Sequence, residues 1–369
     1  MSRVAARSLF SSISKGKTLL SRINNHCGTL QIRLISDKRT KFFDFERVGD
    51  NVFRSVSIRI WETAIVQVDQ SCNRYSAIDE CGVWRSHSCS GSFLQELIIS
   101  FITASQALAA AESTTSLQFK PHSVHFFFIL SVDTTVPVEY HVQSLRDGRS
   151  FCTRSVQAIQ NGKVVSSLQA SFHVVEPDSC VHQLPSPTVI SADKCPDLSE
   201  VSGELLERIS KRKGLGKVNA REVIAMHSQV DTTLFEVRCT DTDSFLGTDE
   251  GSRRFFFWVR AKINLPPADD RLHRWMTAFA SDFLPAGVII RPHAKNDFTP
   301  SMVFSLDHVI HFHHHDIRAD EWLLYEVEST TAGSGRGFAQ GRIWRNDGKL
   351  LASLSQEILI RTKGPASVS

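Results

Sequence analysis

The 369-residue chain has no C-x-x-C pair, and none of its eight cysteines stands at a zinc-like spacing from histidine. The thiols therefore read as buried or incidental groups in a reducing compartment, not as a metal site or a disulfide framework. A G-x-S-x-G turn is also missing, which sets aside the serine-hydrolase elbow. No apolar run approaches the ~20 residues that a membrane span requires, so no transmembrane helix is expected. Acidic residues are absent before Asp37, while Arg3, Arg7, Lys15, Lys17, Arg22 and Arg33 all precede it. Without those six, 36 basic residues face 39 acidic ones, so the formal charge of +3 belongs to the leader and gives no ground for a nucleic-acid partner. Serines interleaved with Leu9, Phe10, Ile13, Leu19 and Leu20 make residues 1–36 read as a mitochondrial transit peptide. A peroxisomal or cytoplasmic location is the alternative, although the final Ser367-Val368-Ser369 matches a Ser-Lys-Leu signal poorly.

What the chain does contain is a message given twice. His122-Ser-Val-His125-Phe126 returns as His308-Val-Ile-His311-Phe312, Gly148-Arg149-Ser-Phe151 as Gly335-Arg336-Gly-Phe338, and Gly162-Lys163 followed by Ser167-Leu168 as Gly348-Lys349 followed by Ser353-Leu354. The offsets are 186, 187 and 186. Matches in one order at a near-constant long offset mean two copies of one folding unit, not a solenoid of short repeats. Length agrees, because 369 residues suit two domains of roughly 150 residues plus tails. The expected division is a leader over 1–36, a first copy over 37–178, a linker over 179–220 and a second copy over 221–365.

Each copy predicts one helix wrapped by an antiparallel meander. In the first, residues 93–111 are apolar nearly all round, as a helix buried on most sides would be. Strands are expected over 122–130, 138–145, 151–159 and 163–175, with Asn161-Gly162 as a strong hairpin signal. In the second, a strand over 255–263 is followed by a helix over 271–284, with Asp270 as N-cap and Pro285 as its stop. Strands over 302–312, 322–328, 337–344 and 349–361 complete it, with Asp347-Gly348 at the last hairpin. The polar linker carries Pro177, Pro185, Pro187 and Pro196 and the run Lys211-Arg-Lys213, and reads as a solvated connector with a short helix.

Residue patterns alone single out a few polar groups. On the second helix Leu272, Trp275, Met276, Phe279 and Phe283 form an apolar stripe, and Asp282 projects about 20° from Trp275 at its edge. Burial there and the negative end of the helix dipole both raise a carboxyl pKa toward the range of a general base; fraying before Pro285 would instead leave Asp282 in water. Gln356 interrupts the apolar face of Leu350, Ala352, Leu354, Ile358 and Ile360, so its amide needs a partner, from backbone or from a functional neighbour. Ser305 shares a predicted face with Val303 and Asp307, but an isolated strand serine is usually structural and residue patterns alone do not select it. His311, His313, His314, His315 and Asp316 crowd one strand end, but alternation sends His314 to the opposite face, and no metal is expected. Gly333-Ser-Gly-Arg-Gly337 resembles a phosphate loop only superficially, since a strand follows it.

A helix wrapped by a sheet, twice in one chain, is the α+β double hotdog architecture. His122-Ser-Val-His125-Phe, Arg146-Asp-Gly-Arg-Ser-Phe151 and Gln169-Ala-Ser-Phe172 resemble the acyl-CoA thioesterase II family, as do Ala280-Ser-Asp282, Ser305-Leu-Asp-His308, Gly335-Arg-Gly337 and Gln356-Glu357. The resemblance runs from Phe45 to Arg361 outside the linker. It implies hydrolysis of fatty acyl-CoA by a water that Asp282 activates while Ser305 and Gln356 orient it, with no cofactor and with assembly as a homo-oligomer. At the offset of 186, Gln356 falls on Ala170 and Ser305 on Phe119, so the first copy is expected to be catalytically silent. One departure is Cys89-Ser-Gly91-Ser-Phe93, where the family typically has Phe-Gly-Gly leading into the first helix. The rival readings are a hydratase built on Asp307 and His308, and a degenerate pair that binds acyl-CoA or acts as a scaffold.

Overall fold

A computed structural model describes residues 18–23, 30–35, 45–55, 90–133, 136–210, 234–246, 253–282, 285–293, 298, 300–362 and 364. Most of the leader, Cys89, the run from Lys211 to Lys213 and Phe283 lie outside these residues. Strands β1 (Thr18–Ile23) and β2 (Leu30–Ile35) pair only with each other. The first copy comprises β3 (Phe45–Gly49), β4 (Val52–Ser55), helix α1 (Ser90–Ser113), β5 (Phe119–Phe128), β6 (Glu139–Asp147), β7 (Phe151–Gln160) and β8 (Lys163–Val174). Helix α2 (Leu198–Ser210) precedes β9 (Phe235–Cys239), the short α3 (Thr242–Leu246) and β10 (Arg254–Ala261). Then come α4 (Asp270–Asp282), α5 (Pro285–Ile290), β11 (Pro300–Ser305) and β12 (Asp307–Phe312). Strands β13 (Leu323–Gly333), β14 (Arg336–Arg345) and β15 (Leu350–Thr362) close the chain.

One antiparallel sheet carries both copies in the order β3-β4-β6-β7-β8-β5-β12-β15-β14-β13-β10-β9, with β11 also on β15. The order reads the same from either end once each strand is exchanged for its counterpart. At its centre Val124 lies opposite Ile310, two residues that are themselves 186 apart, so a pseudo-twofold axis passes through that pair. Turn chemistry agrees with the sequence: Asn161 and Gly162 have φ of 50° and 71°, and Ser334 and Gly335 have 51° and 74°, the signs that a two-residue type I′ hairpin demands. The glycine-rich piece 333–337 is thus a hairpin. At Asp347-Gly348 only Gly348 has positive φ, in a longer turn closed by its N–H on the Arg345 carbonyl at 2.9 Å.

Helix α1 is buried from Ile102 to Glu112 apart from a half-buried Ala104, and α4 packs against it. The run from Ala107 to Ala111 keeps backbones close, and one charged contact spans the copies. Glu112 accepts Arg274 at 2.6 Å and the Trp275 indole at 2.8 Å, with Arg271 at 3.5 Å, all at a fully buried carboxylate.

Five details depart from the sequence reading. The N-cap of α4 is Asp269, whose Oδ1 accepts the Leu272 N–H at 3.1 Å; Asp270, the first helical residue, instead binds Lys120 and Arg274. Pro285 does not merely stop that helix but opens α5, where a residue without an N–H costs nothing. The expected strand over 302–312 breaks at Leu306, so burial passes from Val303 and Ser305 to His308, Ile310 and Phe312, and Asp307 does not share the face of Ser305. The linker is not simply solvated: Ala192 and Cys195 are buried with Trp258, Leu324 and Trp344, the Trp258 indole donates to the Ile190 carbonyl at 2.8 Å, and Leu198 and Ser202 are buried on α2. Finally, Ser90 already belongs to α1, so Gly91 and Phe93 lie in its first turn, not ahead of it.

Register also corrects the internal comparison. Val124 pairs with Ala170 and Ile310 with Leu354, so matched positions on β8 and β15 differ by 184, the distance from 170 to 354. By that register Gln356 corresponds to Phe172, not Ala170, while Phe119 paired with Val174 still corresponds to Ser305 paired with Ile358. Both first-copy positions hold buried phenylalanines.

Candidate active site

Three polar side chains from distant parts of the second copy meet inside it. Asp282 is the final residue of α4, Ser305 the final residue of β11, and Gln356 sits mid-strand on the buried face of β15. The two protons of the Gln356 amide are both used: Nε2 donates to Asp282 Oδ1 in a very short contact and to Ser305 Oγ at 2.8 Å. All three are buried, at 2%, 2% and 1% exposure. The structure thus places Asp282, Ser305 and Gln356 in one hydrogen-bonded group, and the break at Leu306 takes Asp307 off the face that Val303 and Ser305 share.

The electrostatics of Asp282 are those of a carboxyl withdrawn from water. Burial away from water pushes the Asp282 carboxyl up to about 8; the Gln356 donor opposes this and the nearby Asp307 carboxylate adds to it. Its place at the C-terminal end of α4, where unpaired carbonyls point, disfavours the charged form further. Among the described residues Asp282 Oδ2 and Gln356 Oε1 are buried without a hydrogen-bond partner. Each of these acceptors can receive a proton from water.

Helix α5 packs on β13 and β14. A Cβ at Gly337 would sit 2.4 Å from Ile289 Cγ2, so only glycine lets α5 come this close. Next to Asp282, Ser281 Oγ lies 2.8 Å from His308 Nε2 on β12, and burial lowers that imidazole to about 3, keeping it neutral. Asp307 and His308 point to opposite faces, as adjacent strand residues do, which separates the pair that a hydratase would need together. A small apolar cavity between the copies, lined by Ala104, Leu108, Phe126, Ala278, His308 and Ile310, reaches α4 one turn before Asp282.

The histidine run does not follow the alternation read from sequence, because β12 ends at Phe312. His313 Nε2 lies 2.8 Å from Ser353 Oγ, and Asp316 is held by Arg345 and Lys349. Among the described residues no group of three or more His, Cys, Asp or Glu is arranged to hold a metal ion. What sequence reasoning missed is the contribution of Asp307 and His308 to the surroundings of the site; the break at Leu306 that separates their roles leaves no local signal.

The family described as "Acyl-CoA thioesterase C-terminal domain" matches residues 213–360, and "Acyl-CoA thioesterase N-terminal domain" matches residues 102–173. Acyl-coenzyme A thioesterase 8 of Rattus norvegicus is 35% identical over 268 residues, covering 72% of this chain and 80% of the relative. Acyl-CoA thioesterase 2 of Haemophilus influenzae is 31% identical, covering 69% and 85%. The crystal structure of acyl-CoA thioesterase II TesB2 from Mycobacterium marinum matches with a TM-score of 0.62 at 26% identity, over 87% of this chain and 97% of that one. A hot dog fold protein from Alicyclobacillus acidocaldarius, at 16% identity and a TM-score of 0.56, is similar in fold.

Proposed function

Since the chain belongs to the acyl-CoA thioesterase II family and is therefore a thioester hydrolase acting on acyl-CoA, we propose that Asp282 is its general base and that Ser305 and Gln356 orient the attacking water. The observation that supports this is the buried Asp282–Gln356–Ser305 group with its two open acceptors. A water donating one proton to Asp282 and one to Gln356 Oε1 turns a lone pair toward a thioester carbonyl. Asp282 takes the proton as the water oxygen bonds to the carbonyl carbon. The tetrahedral intermediate then expels the coenzyme A thiolate, which leaves as thiol when Asp282 returns the proton. No covalent acyl-enzyme is needed. The substrate is a fatty acyl-CoA. In this reading only the second copy is catalytic, because Phe119 and Phe172 stand where it has Ser305 and Gln356.

A base near pH 8 fixes the shape of the pH profile. The working form of Asp282 is the carboxylate, so kcat/KM rises about tenfold per unit below its midpoint and levels off above about 8. Initial rates between pH 5.5 and 9.5 under low substrate check this; a profile flat from pH 6 upward removes Asp282 as the titrating base.

We further propose that residues 1–36 direct the chain to mitochondria. The support is their uniformly basic, serine-rich composition. A relative from Saccharomyces cerevisiae, 27% identical over 69% of this chain, is a "Peroxisomal acyl-coenzyme A thioester hydrolase 1" by name. The leader fused to a fluorescent protein is expected to fill mitochondria; peroxisomal or diffuse signal from the full chain rejects this assignment.

A further inference from the structure

The break between β11 and β12 poses a hydrogen-bonding problem at the site. Leu306 donates its N–H to the Glu357 carbonyl at 2.8 Å, but its own carbonyl is taken by the Phe128 N–H of the first copy at 3.0 Å. The N–H of Glu357, the residue after Gln356, therefore has no carbonyl to reach on β11 or β12. Asp307 fills the gap: its Oδ1 accepts the Glu357 N–H at 2.7 Å. Its Oδ2 lies 3.2 Å from Nε2 of His125 on β5, whose ring in turn packs on Phe127 with centroids 4.4 Å apart. Asp307 thus stands two residues from Ser305 along the chain and is bonded to the neighbour of Gln356. A backbone N–H left unpaired at this point would let the two strands part.

We propose that Asp307 is a positioning residue that locks Ser305 and Gln356 in register across the strand break, and that His125 of the first copy holds it there. The catalytically silent copy then contributes to the site through the strand pairing at the pseudo-twofold axis. This rests on the reading of Asp282, Ser305 and Gln356 as the catalytic group. Around Asp282 the second copy presents Gln356 from β15, Ser305 from β11 and the neutral His308 beside Ser281, and the charged group acting on it is Asp307.

Two substitutions separate the clamp from the charge. Asp307→Ala removes both, and kcat/KM is expected to fall about 10- to 100-fold, the usual effect of a small misplacement of catalytic groups. Asp307→Asn keeps an oxygen for the Glu357 N–H but no charge; its rate falls less, while the midpoint of its pH profile moves to lower pH, a shift that a purely structural residue would not cause. His125→Ala lowers kcat/KM several-fold in the same direction. A wild-type kcat/KM in folded Asp307→Ala, or an Asp307→Asn as impaired as Asp307→Ala, overturns the proposal. Asp282→Asn is run alongside: if that variant stays active the catalytic reading itself fails, whereas a dead Asp282→Asn beside a wild-type-like Asp307→Ala defeats the clamp alone.

Discussion

Asp282→Asn lowers kcat for acyl-CoA hydrolysis by about 10²- to 10⁴-fold, the range that a positioned general base contributes. The substitution is close to isosteric, and its amide can still meet the Gln356 side chain, so lost activity reports lost proton transfer rather than lost structure. Stability supplies the control. Because folding raises the Asp282 pKa to about 8, the folded chain retains a proton that the unfolded chain gives up near the ordinary value of 3.8. The stability held by that proton is fully present below about pH 4 and is lost as pH rises through about 8. Asp282→Asn removes this loss, so its melting temperature relative to wild type rises between pH 6 and pH 9. Release of free coenzyme A at more than about a tenth of the wild-type rate by the purified variant would show that something else activates the water. The same comparison answers the rival reading of an acyl-CoA binder, for which Asp282→Asn would be silent.

The second large effect is on folding. Arg274→Met is expected to destabilise the protein by about 3–5 kcal/mol, because it leaves Glu112 buried after losing its closest cation. Arg274 and Glu112 are both fully buried and 2.6 Å apart, on α4 of one copy and α1 of the other. The Trp275 indole and the more distant Arg271 remain on Glu112 but cannot replace a direct charged donor. Breaking one side is costly where removing both is not: Glu112→Gln combined with Arg274→Met recovers much of the loss. Urea unfolding of the two variants measures this. Equal destabilisation of the single and double variants would mean that the pair is replaceable packing. Asp270, drawn down to about 2 by Lys120 and Arg274 against the cost of burial, loses one of its two partners in the same variant. The α1–α4 contact is therefore expected to weaken from both ends, and activity to fall with it because Asp282 ends the same helix.

Much of this architecture is written locally. The repeat of His122-Ser-Val-His125 in His308-Val-Ile-His311 implies two like units, and Asn161-Gly162 and Asp347-Gly348 mark hairpins because few other residues tolerate positive φ. Gln356 stands out for the same kind of reason: a strand has a period of two, so an amide in a row of Leu, Ala and Ile is visible without coordinates. Asp282 is legible only in part, since helical spacing places it at the edge of the apolar stripe but says nothing of water. Its complete burial, and hence its raised pKa, comes from β11 and β15 arriving from 23 and 74 residues further along the chain.

Other features belong to the tertiary structure alone. Alternation carried through 302–312 predicts the wrong partner for Ser305, because the Leu306 carbonyl turns to Phe128 of the other copy and shifts the phase. The shift from 186 to 184 between matched positions of β8 and β15 is likewise a matter of register, which hydrogen bonds between strands decide and similarity of residues does not. Sequence by itself determined the repeated unit, its hairpins and two polar residues in apolar surroundings, Asp282 and Gln356, since those depend on the conformational preferences of each residue and its near neighbours; Ser305 came only from the family resemblance. Only the assembled sheet decided that the three should meet, that Asp282 should be starved of water, and that His125 of the first copy should reach Asp307 of the second, because burial and strand pairing are set by segments far apart in the chain.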